Sequence, residues 1–516
     1  MSGRVAKLYS AELEGIQARL VEVEADVSVG LHSFSIVGLA DKALNEAKER
    51  VNAALKHAGV NPPSKENRRI VVNLAPADLK KTGTHYDLAI AIAYLAATNQ
   101  IKDFDFSKTL FLGELSLSGE LRPVSGVLSI ASFAKRRKMK RIILPYSNAR
   151  EAALIDGVDI IPVKTLTELI GFLEGKLAIT PQEKTTISTD FESRSEVDFA
   201  DVYGHEAVKR ALLIAATGGH NVLLSGPPGT GKTMLARAFS TILPELLEQE
   251  VLELTEIYSS AGLLGEFGYV ASRPFRSPHQ SASAVALMGG GQMPKPGEIS
   301  LAHKGVLFLD EVAEFRKDVL ESLRQPIESG RAIISRARAR LEFPANFVLV
   351  LAMNPCPCGF YQDEERACKC SAHEVLRYQK KLSGPLLDRV DIQVEVPRIS
   401  IEELSARNAK EGSASSSILR AQVKKARAFS HERMEEFGVE KKQNSDLQNK
   451  ELENIAQLDE DAHNFVQRVF DKSLVSPRGY YRILKVARSI ADLEGSDTVK
   501  RSHISEAFGY RVRQAD

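Results

Sequence analysis

The sequence is short of several things, and each shortage removes a class of protein. No apolar run approaches the ~18 residues that a membrane span needs, although 43% of the 516 residues are hydrophobic. The opening segment, MSGRVAKLYSAELEGIQARL, has no long apolar stretch ending in a small-residue cleavage site, so no secretory signal is expected. There is almost no charge excess. Lys and Arg number 68 against 67 acids, a formal net charge of +1, so any basic surface must be local. Cysteine is scarce and unevenly placed: all four lie between 356 and 370, whereas a secreted disulfide scaffold would scatter them. No long internal repeat is visible. The expectation is a cytoplasmic protein with no membrane segment and, at ~100–200 residues per domain, two to four domains.

What is present is a change of pattern along the chain. Residues 1–175 mix strand-like runs, such as RRIVVNLAP (68–76) and KRIILP (140–145), with helical segments such as ADKALNEAKERVNAALKHAG (40–59), which predicts an α/β domain. Residues 176–197 have no hydrophobic period and many Ser, Thr and charged residues, and read as an interdomain linker. From 198 to about 397 the pattern is that of an αβα nucleotide-binding core. From 398 to 516 it is helical, with LRAQVKKARAFSHERMEEF (419–437) and YYRILKVARSIADLEG (480–495) the clearest pieces.

Residues 226–233 read GPPGTGKT: Gly226, Pro227, Pro228, Gly229, Thr230, Gly231, Lys232 and Thr233. The apolar strand HNVLLSG precedes them and a helix follows, the setting in which G-x-x-x-x-G-K-[ST] wraps phosphates with backbone N–H groups. Lys232 would reach the β- and γ-phosphates of ATP, and the Thr233 hydroxyl would ligate Mg²⁺. GVLFLDE (305–311) is an apolar strand ending in two acids. Asp310 would hold Mg²⁺ through water, and Glu311 would polarise an attacking water, which favours hydrolysis. NFVLVLAMNP (346–355) ends at Asn354, a water-orienting or γ-phosphate-sensing residue, or simply an asparagine turn before Pro355. Arg389, in SGPLLDRVDI, would reach a neighbour's site in a ring, or pair with Asp388 or Asp391. Arg478, in SPRGYYR, would contact γ-phosphate, or only start a helix.

Taken together, these residues resemble an AAA+ ATPase, with Walker A at 226–233, Walker B at VLFLDE, sensor 1 at Asn354, an arginine finger at Arg389 and sensor 2 at Arg478. RPFRSPHQSASAVALMGGG (273–291), LAHKGVLFLDE (301–311), RQPIESGRAIISRA (324–337) and AMNPCPCG (352–359) resemble the magnesium-chelatase-like AAA+ proteins of the ComM/YifB family along essentially the whole chain. In the N-terminal region, LAPADLKKTGTHYDLAIAIAYL (74–95) and GELSLSGELRPVSGVLSIASFAKRRKMKRIILP (113–145) resemble a Lon-type protease domain. The resemblance puts His85 where the nucleophilic serine belongs and Leu128 where its lysine belongs. Without that dyad no nucleophile is generated, so an inactive protease fold is expected.

The stretch RAIISRARARLEF (331–343) carries four arginines between the two acidic and polar strand tips. If Ile333–Ser335 pairs with Leu341–Phe343, residues 336–339 form a hairpin tip. Arg336 and Arg338 then project from it, with Arg340 at its base. The resemblance makes this the pre-sensor hairpin that points into a ring's pore, where arginines would meet DNA phosphates irrespective of sequence; on the residues alone it is equally a solvated basic hairpin. The excursion 256–300 resembles the helix-2 insert of the same branch, and its Arg273, Arg276 and His279 are candidate strand contacts. KRRKMKR (135–141) is a solvated helix end or a further contact. Cys356, Cys358, Cys368 and Cys370, spaced C-x-C and C-x-C, would close a structural Zn²⁺ site or remain reduced thiols. The resemblance implies a hexameric motor that migrates branched DNA in recombination or natural transformation. The alternatives are a magnesium-chelatase-type ATPase that remodels a partner protein and, behind it, an ATP-dependent protease.

Overall fold

A computed structural model of the chain describes residues 5–511 except 40, 66, 103, 189–196, 266, 292–293, 336–339, 364, 383, 400–413, 442 and 472–475. The architecture is mixed α/β, built on two separate sheets. The first contains β1 (Ala6–Glu14), β2 (Gln17–Val29), β3 (Ser33–Val37), β4 (Arg68–Ala75), β5 (Thr109–Phe111), β6 (Arg141–Pro145) and β7 (Asp159–Val163), in the order β3-β4-β2-β1-β5-β6-β7. β2 runs antiparallel to β1 and β4, and the remaining neighbours are parallel. The segment 40–59, expected as one helix, is two: α1 (Lys42–Asn45) and α2 (Ala47–His57). Asp41 caps the first by accepting from Leu44 N at 2.8 Å, and the chain turns at Glu46. α3 (Asp87–Ala97) is buried almost all round, as its sequence DLAIAIAYLAA requires.

The second sheet is wholly parallel: β8 (Val222–Ser225), β9 (Phe275–Arg276), β10 (Val306–Leu309), β13 (Val348–Met353) and β14 (Ile392–Glu395), in the order β9-β10-β13-β8-β14. Between β10 and β13 lie β11 (Arg331–Ser335) and β12 (Arg340–Pro344), a separate antiparallel hairpin. The parallel strands are apolar on both faces because both are covered. Val222, Leu224, Val306, Phe308, Val348 and Val350 face one core. Leu223, Leu307, Leu309, Leu349, Leu351 and Met353 face the other.

From Ser416 onward the described residues are helical, with α4 (Ser416–Glu436) and α5 (Pro477–Leu493) the longest elements. They join through a buried polar network. Arg433 and Arg488 both bond the Asp492 carboxylate, and Asn444 donates to the same group at 2.7 Å.

Residues 176–188 are no loose tether. Gln182 N bonds Ile160 O at 2.8 Å, Thr185 N bonds Ala153 O at 3.0 Å and Lys184 pairs with Asp156 at 2.6 Å. The segment has no apolar period because its hold is backbone hydrogen bonding and an ion pair, not a packed face. The two sheets are also tied to each other. Gly126 N donates to Ser259 O at 3.1 Å, Ser132 Oγ to Glu256 at 3.0 Å, and Ile16, in the β1–β2 turn, packs into the cluster holding Phe343. No described helix is long and apolar enough to cross a membrane.

Candidate functional site

The parallel sheet brings three strand ends side by side, because β13 lies between β10 and β8. The carboxyl edge of such a sheet is where ligands bind in open α/β folds. β8 leads through Gly226 to a helix, Lys232–Thr241. Gly229 and Gly231 have φ of +81° and +83°, and a Cβ on Gly226 would lie 2.2 Å from Val396 O, so glycine is required at these turns. Thr230 Oγ1 donates to Pro227 O at 3.0 Å and fixes the loop.

Lys232 points into that loop. Its three donors are used by Gly226 O at 2.7 Å, Pro227 O at 2.8 Å and Asn354 Oδ1 at 3.2 Å. Burial lowers its pKa, opposed by Asp310 and Glu311. Thr233 Oγ1 donates to Asp310 Oδ2 at 2.7 Å, and Asp310 Oδ1 accepts the Glu311 N–H at 2.9 Å. Glu311 is exposed and sits at φ +47°, a left-handed conformation rare outside glycine and frequent at functional sites. Residues 122 and 77 positions apart thus meet in one crevice: Lys232 with Asn354, and Thr233 with Asp310.

Arg389 and Arg478 are not in this crevice. Arg389 donates to Pro385 O and Glu328, so the acid it pairs with is neither Asp388 nor Asp391. Asn221, at the opposite end of β8, holds its backbone by donating to Arg389 O at 2.9 Å. Five residue steps separate that end from Gly226, roughly 16 Å of extended chain. Arg478 is 81% exposed and lies 3.8 Å from Asp388, at the same end. Arg482 joins them, 4.0 Å from both Asp388 and Asp391. Sequence reading passed over Arg482, although its i,i+4 spacing from Arg478 puts both on one helix face.

The expected hairpin pairing is present one step wider, with Arg331 opposite Pro344 and Ser335 opposite Arg340. Arg340 is exposed at its base, 3.5 Å from Glu342. Arg336 and Arg338 lie outside the described residues. Arg273 and Arg276, candidate strand contacts, are both bonded within the chain, Arg273 with nearly all its donors. Arg273 bonds Pro244 O, Glu245 O, Lys304 O and Glu250 at 2.6–3.1 Å, and Arg276 grips Glu298 with two bonds of 2.7 Å. His279 bonds Ser281. In the basic run, Lys135 and Arg136 close a helix and Arg141 begins β6, its guanidinium over the Phe104 ring.

The four cysteine sulfurs all lie within 4.8 Å of one another. Sγ separations of 3.4 Å (Cys356–Cys358), 3.7 Å (Cys356–Cys368) and 3.6 Å (Cys358–Cys368) are far longer than a disulfide's ~2.05 Å. They approach the ~3.8 Å edge of a tetrahedron with ~2.3 Å zinc–sulfur bonds.

Beside the first sheet, His85 is half-buried and its Nε2 donates to Ala11 O, 3.0 Å away; desolvation lowers its pKa. Leu128 is fully buried, and its N–H donates to Glu151 at 2.8 Å.

Comparison with known proteins follows the same division of the chain. A family model described as magnesium chelatase, subunit ChlI, matches residues 198–404. One described as subunit ChlI of Mg-chelatase matches 23–148, and one for the ChlI C-terminal region matches 413–511. Competence protein ComM of Haemophilus influenzae is 42% identical over 510 residues, 98% of this chain and 97% of the relative. The chain belongs to the ComM/YifB family of magnesium-chelatase-like proteins. Protein YifB of Escherichia coli is also 42% identical, over 96% of this chain and 95% of the relative. The magnesium-chelatase 38 kDa subunit of Cereibacter sphaeroides is 25% identical over 61% of this chain and 92% of the relative. Family membership supports ATPase activity of the AAA+ type.

Proposed function

We propose that this chain is the subunit of a cytoplasmic hexameric motor that couples ATP hydrolysis to movement along DNA, acting as a helicase or branch-migration factor in recombination or natural transformation. The observation that carries the reading is the convergence of Lys232, Asn354, Thr233 and Asp310 at adjoining strand ends. Bound Mg²⁺ supplies charge that neutralises phosphate oxygens during phosphoryl transfer. Lys232 and the loop N–H groups of 226–233 bind the phosphates, and Thr233 and Asp310 hold the metal. Glu311 orients and deprotonates the attacking water, and Asn354 fixes its line of approach. Arg389 and Arg478 serve the neighbouring subunit's site, a division supported by their position at the far end of β8.

DNA is the partner that an arginine-bearing hairpin between β10 and β13 suits, with Arg336, Arg338 and Arg340 meeting backbone phosphates. The relative named for competence points the same way. Residues 1–175 form a Lon-protease-like domain without peptidase activity, a reading supported by a histidine, His85, and a fully buried leucine, Leu128, at the positions where the resemblance puts the dyad. Residues 176–197 bridge it to the AAA+ core at 198–397, which includes the helix-2 insert (256–300), and 398–516 form a helical lid. Cys356, Cys358, Cys368 and Cys370 hold a structural Zn²⁺. The relation to the magnesium-chelatase 38 kDa subunit favours a second reading, an ATPase that remodels a partner protein.

Steady-state ATP hydrolysis with and without single-stranded and branched DNA tests the choice. Stimulation that disappears in Arg336→Ala/Arg338→Ala, with basal turnover intact, is the expected result. Turnover indifferent to DNA in both proteins would leave the protein-remodelling reading standing.

A further inference from the structure

The loop after β13 is unusual. From Asn354 to Ser371 the described residues form no helix or strand. Loops longer than ~12–15 residues without structure of their own are uncommon in compact domains unless something holds them. Here the first end is held by the core. Met353 O accepts from Gly226 N at 3.1 Å, and Gln379 donates to Pro355 O at 3.1 Å. On the far side Asp363, whose side chain is 1% exposed, pairs with Arg398 at 2.7 Å just beyond β14. The middle carries the four sulfurs. Cys358 Sγ receives the N–H groups of Lys369 and Phe360, and Cys368 Sγ receives Cys370 N–H at 3.4 Å.

This loop also touches the phosphate loop. A Cβ built on Gly359, the residue after Cys358, would lie 2.6 Å from Pro228 Cδ and 3.1 Å from Pro228 Cγ. The backbone at Gly359 is therefore flat against the proline ring in GPPGTGKT. Asn354, which meets Lys232, is two residues before Cys356.

We propose that Zn²⁺ bound by Cys356, Cys358, Cys368 and Cys370 sets the shape of this loop, and that the zinc-closed loop is the backstop that holds Pro228 and Asn354 in their nucleotide-binding positions. The proposal rests on reading residues 226–233 as the nucleotide cradle. Four thiols give four protons to solvent as four zinc–sulfur bonds form, and nothing is oxidised or reduced. With four protein ligands the metal has no open position and does no chemistry itself. Its effect is mechanical. Loss of zinc frees the loop, Gly359 leaves Pro228, and the phosphate loop loses one wall.

The test uses the full chain purified without chelator. Zinc per chain is measured by mass spectrometry, and affinity for a fluorescent ATP analogue with Mg²⁺ is measured before stripping, after stripping and after adding zinc chloride back. One zinc per chain is expected, with affinity falling about tenfold on stripping and returning on reloading. Pro228→Ala separates the wall from the metal, because it removes the ring that Gly359 backs and leaves the cysteine loop untouched: it should keep zinc and lose affinity to a similar extent. Cys358→Ser/Cys370→Ser should lose both. Substoichiometric zinc in the native chain overturns the site. Full zinc with unchanged affinity after stripping, or in Pro228→Ala, overturns the backstop. If the native chain binds the analogue no better than Lys232→Ala, the cradle reading itself fails, and the two failures are thereby told apart.

Discussion

The two sheets treat their polar side chains in opposite ways. At the carboxyl edge of the parallel sheet, Thr233, Asp310 and Glu311 are open to solvent or nearly so, and their hydrogen bonds run among themselves. Around His85 in the first sheet, the polar groups are turned inward and satisfied by the fold. His85 bonds Ala11 O, Glu12 accepts from Thr82 and Tyr86, and Lys81 is fully buried with Pro76 O as acceptor. Where the partners are themselves buried, as Tyr86 and Glu12 are, a bonded group is a structural part, because removing one leaves the other unpaired. An exposed group bonded to another exposed group can exchange that partner for a ligand. The difference separates an edge whose groups are free to take a ligand from a region whose groups are tied to one another.

The sharpest way to break this contrast is to remove one group from each side. Lys232→Ala should lower ATP turnover about a hundredfold or more, whereas His85→Ala should leave turnover within about twofold. Steady-state hydrolysis decides, and an effect of His85→Ala as large as that of Lys232→Ala would erase the distinction. Next in size, Glu311→Gln should cut turnover about a hundredfold while leaving nucleotide affinity near native, read by pairing hydrolysis rates with equilibrium binding. A loss of affinity instead would make Glu311 a binding group.

The third test concerns buried charge away from either site. Asp492 is the shared acceptor for Arg433, Arg488 and Asn444. Asp492→Ala leaves buried cations unpaired and should cost about 3–5 kcal/mol, measured by urea denaturation. The smallest effect is a pH dependence in the first sheet. Burial raises the Asp87 carboxyl from 3.8 to about 6 even though Arg50 lies 2.6 Å away. The folded chain then holds that proton more tightly than the unfolded chain. Its contribution to stability is largest below pH 4 and declines as pH rises through 6. Asp87→Asn should flatten that slope in midpoints of denaturation taken across the range.

The parallel core was legible because its signals are local. Each strand is a short apolar run, and each candidate residue falls at the end of one or in the loop that follows it, so sequence order and position along the strand were enough to gather Lys232, Asp310 and Asn354. The hairpin of 331–344 was legible for a similar reason, since its two halves are close in the chain. Contacts that depend on packing were not. Nothing local marks Arg273 as a strut between Pro244 O and Lys304 O, and an arginine beside a Gly- and Ser-rich stretch reads as a free cation. The break at Glu46 was hidden because residues 40–59 keep helical composition throughout, and the Asp41 cap acts on only the first turn. Arg389 showed its basic character but not its partner, because Glu328 is 61 residues away.

The turn between β1 and β2 sets a limit on how the chain can be divided. A Cβ on Gly15 would lie 3.4 Å from Phe343, and Ile16 packs against the same core cluster as Ile334 and Leu341 of the arginine-bearing hairpin. A core cut free at residue 198 would present those apolar side chains to water, together with the Ser259 and Glu256 groups now bonded to the first sheet. Exposed apolar patches of that kind favour self-association. A truncation made to isolate the ATPase should therefore be judged first by its sedimentation, since a loss of activity in it would report clumping as readily as chemistry.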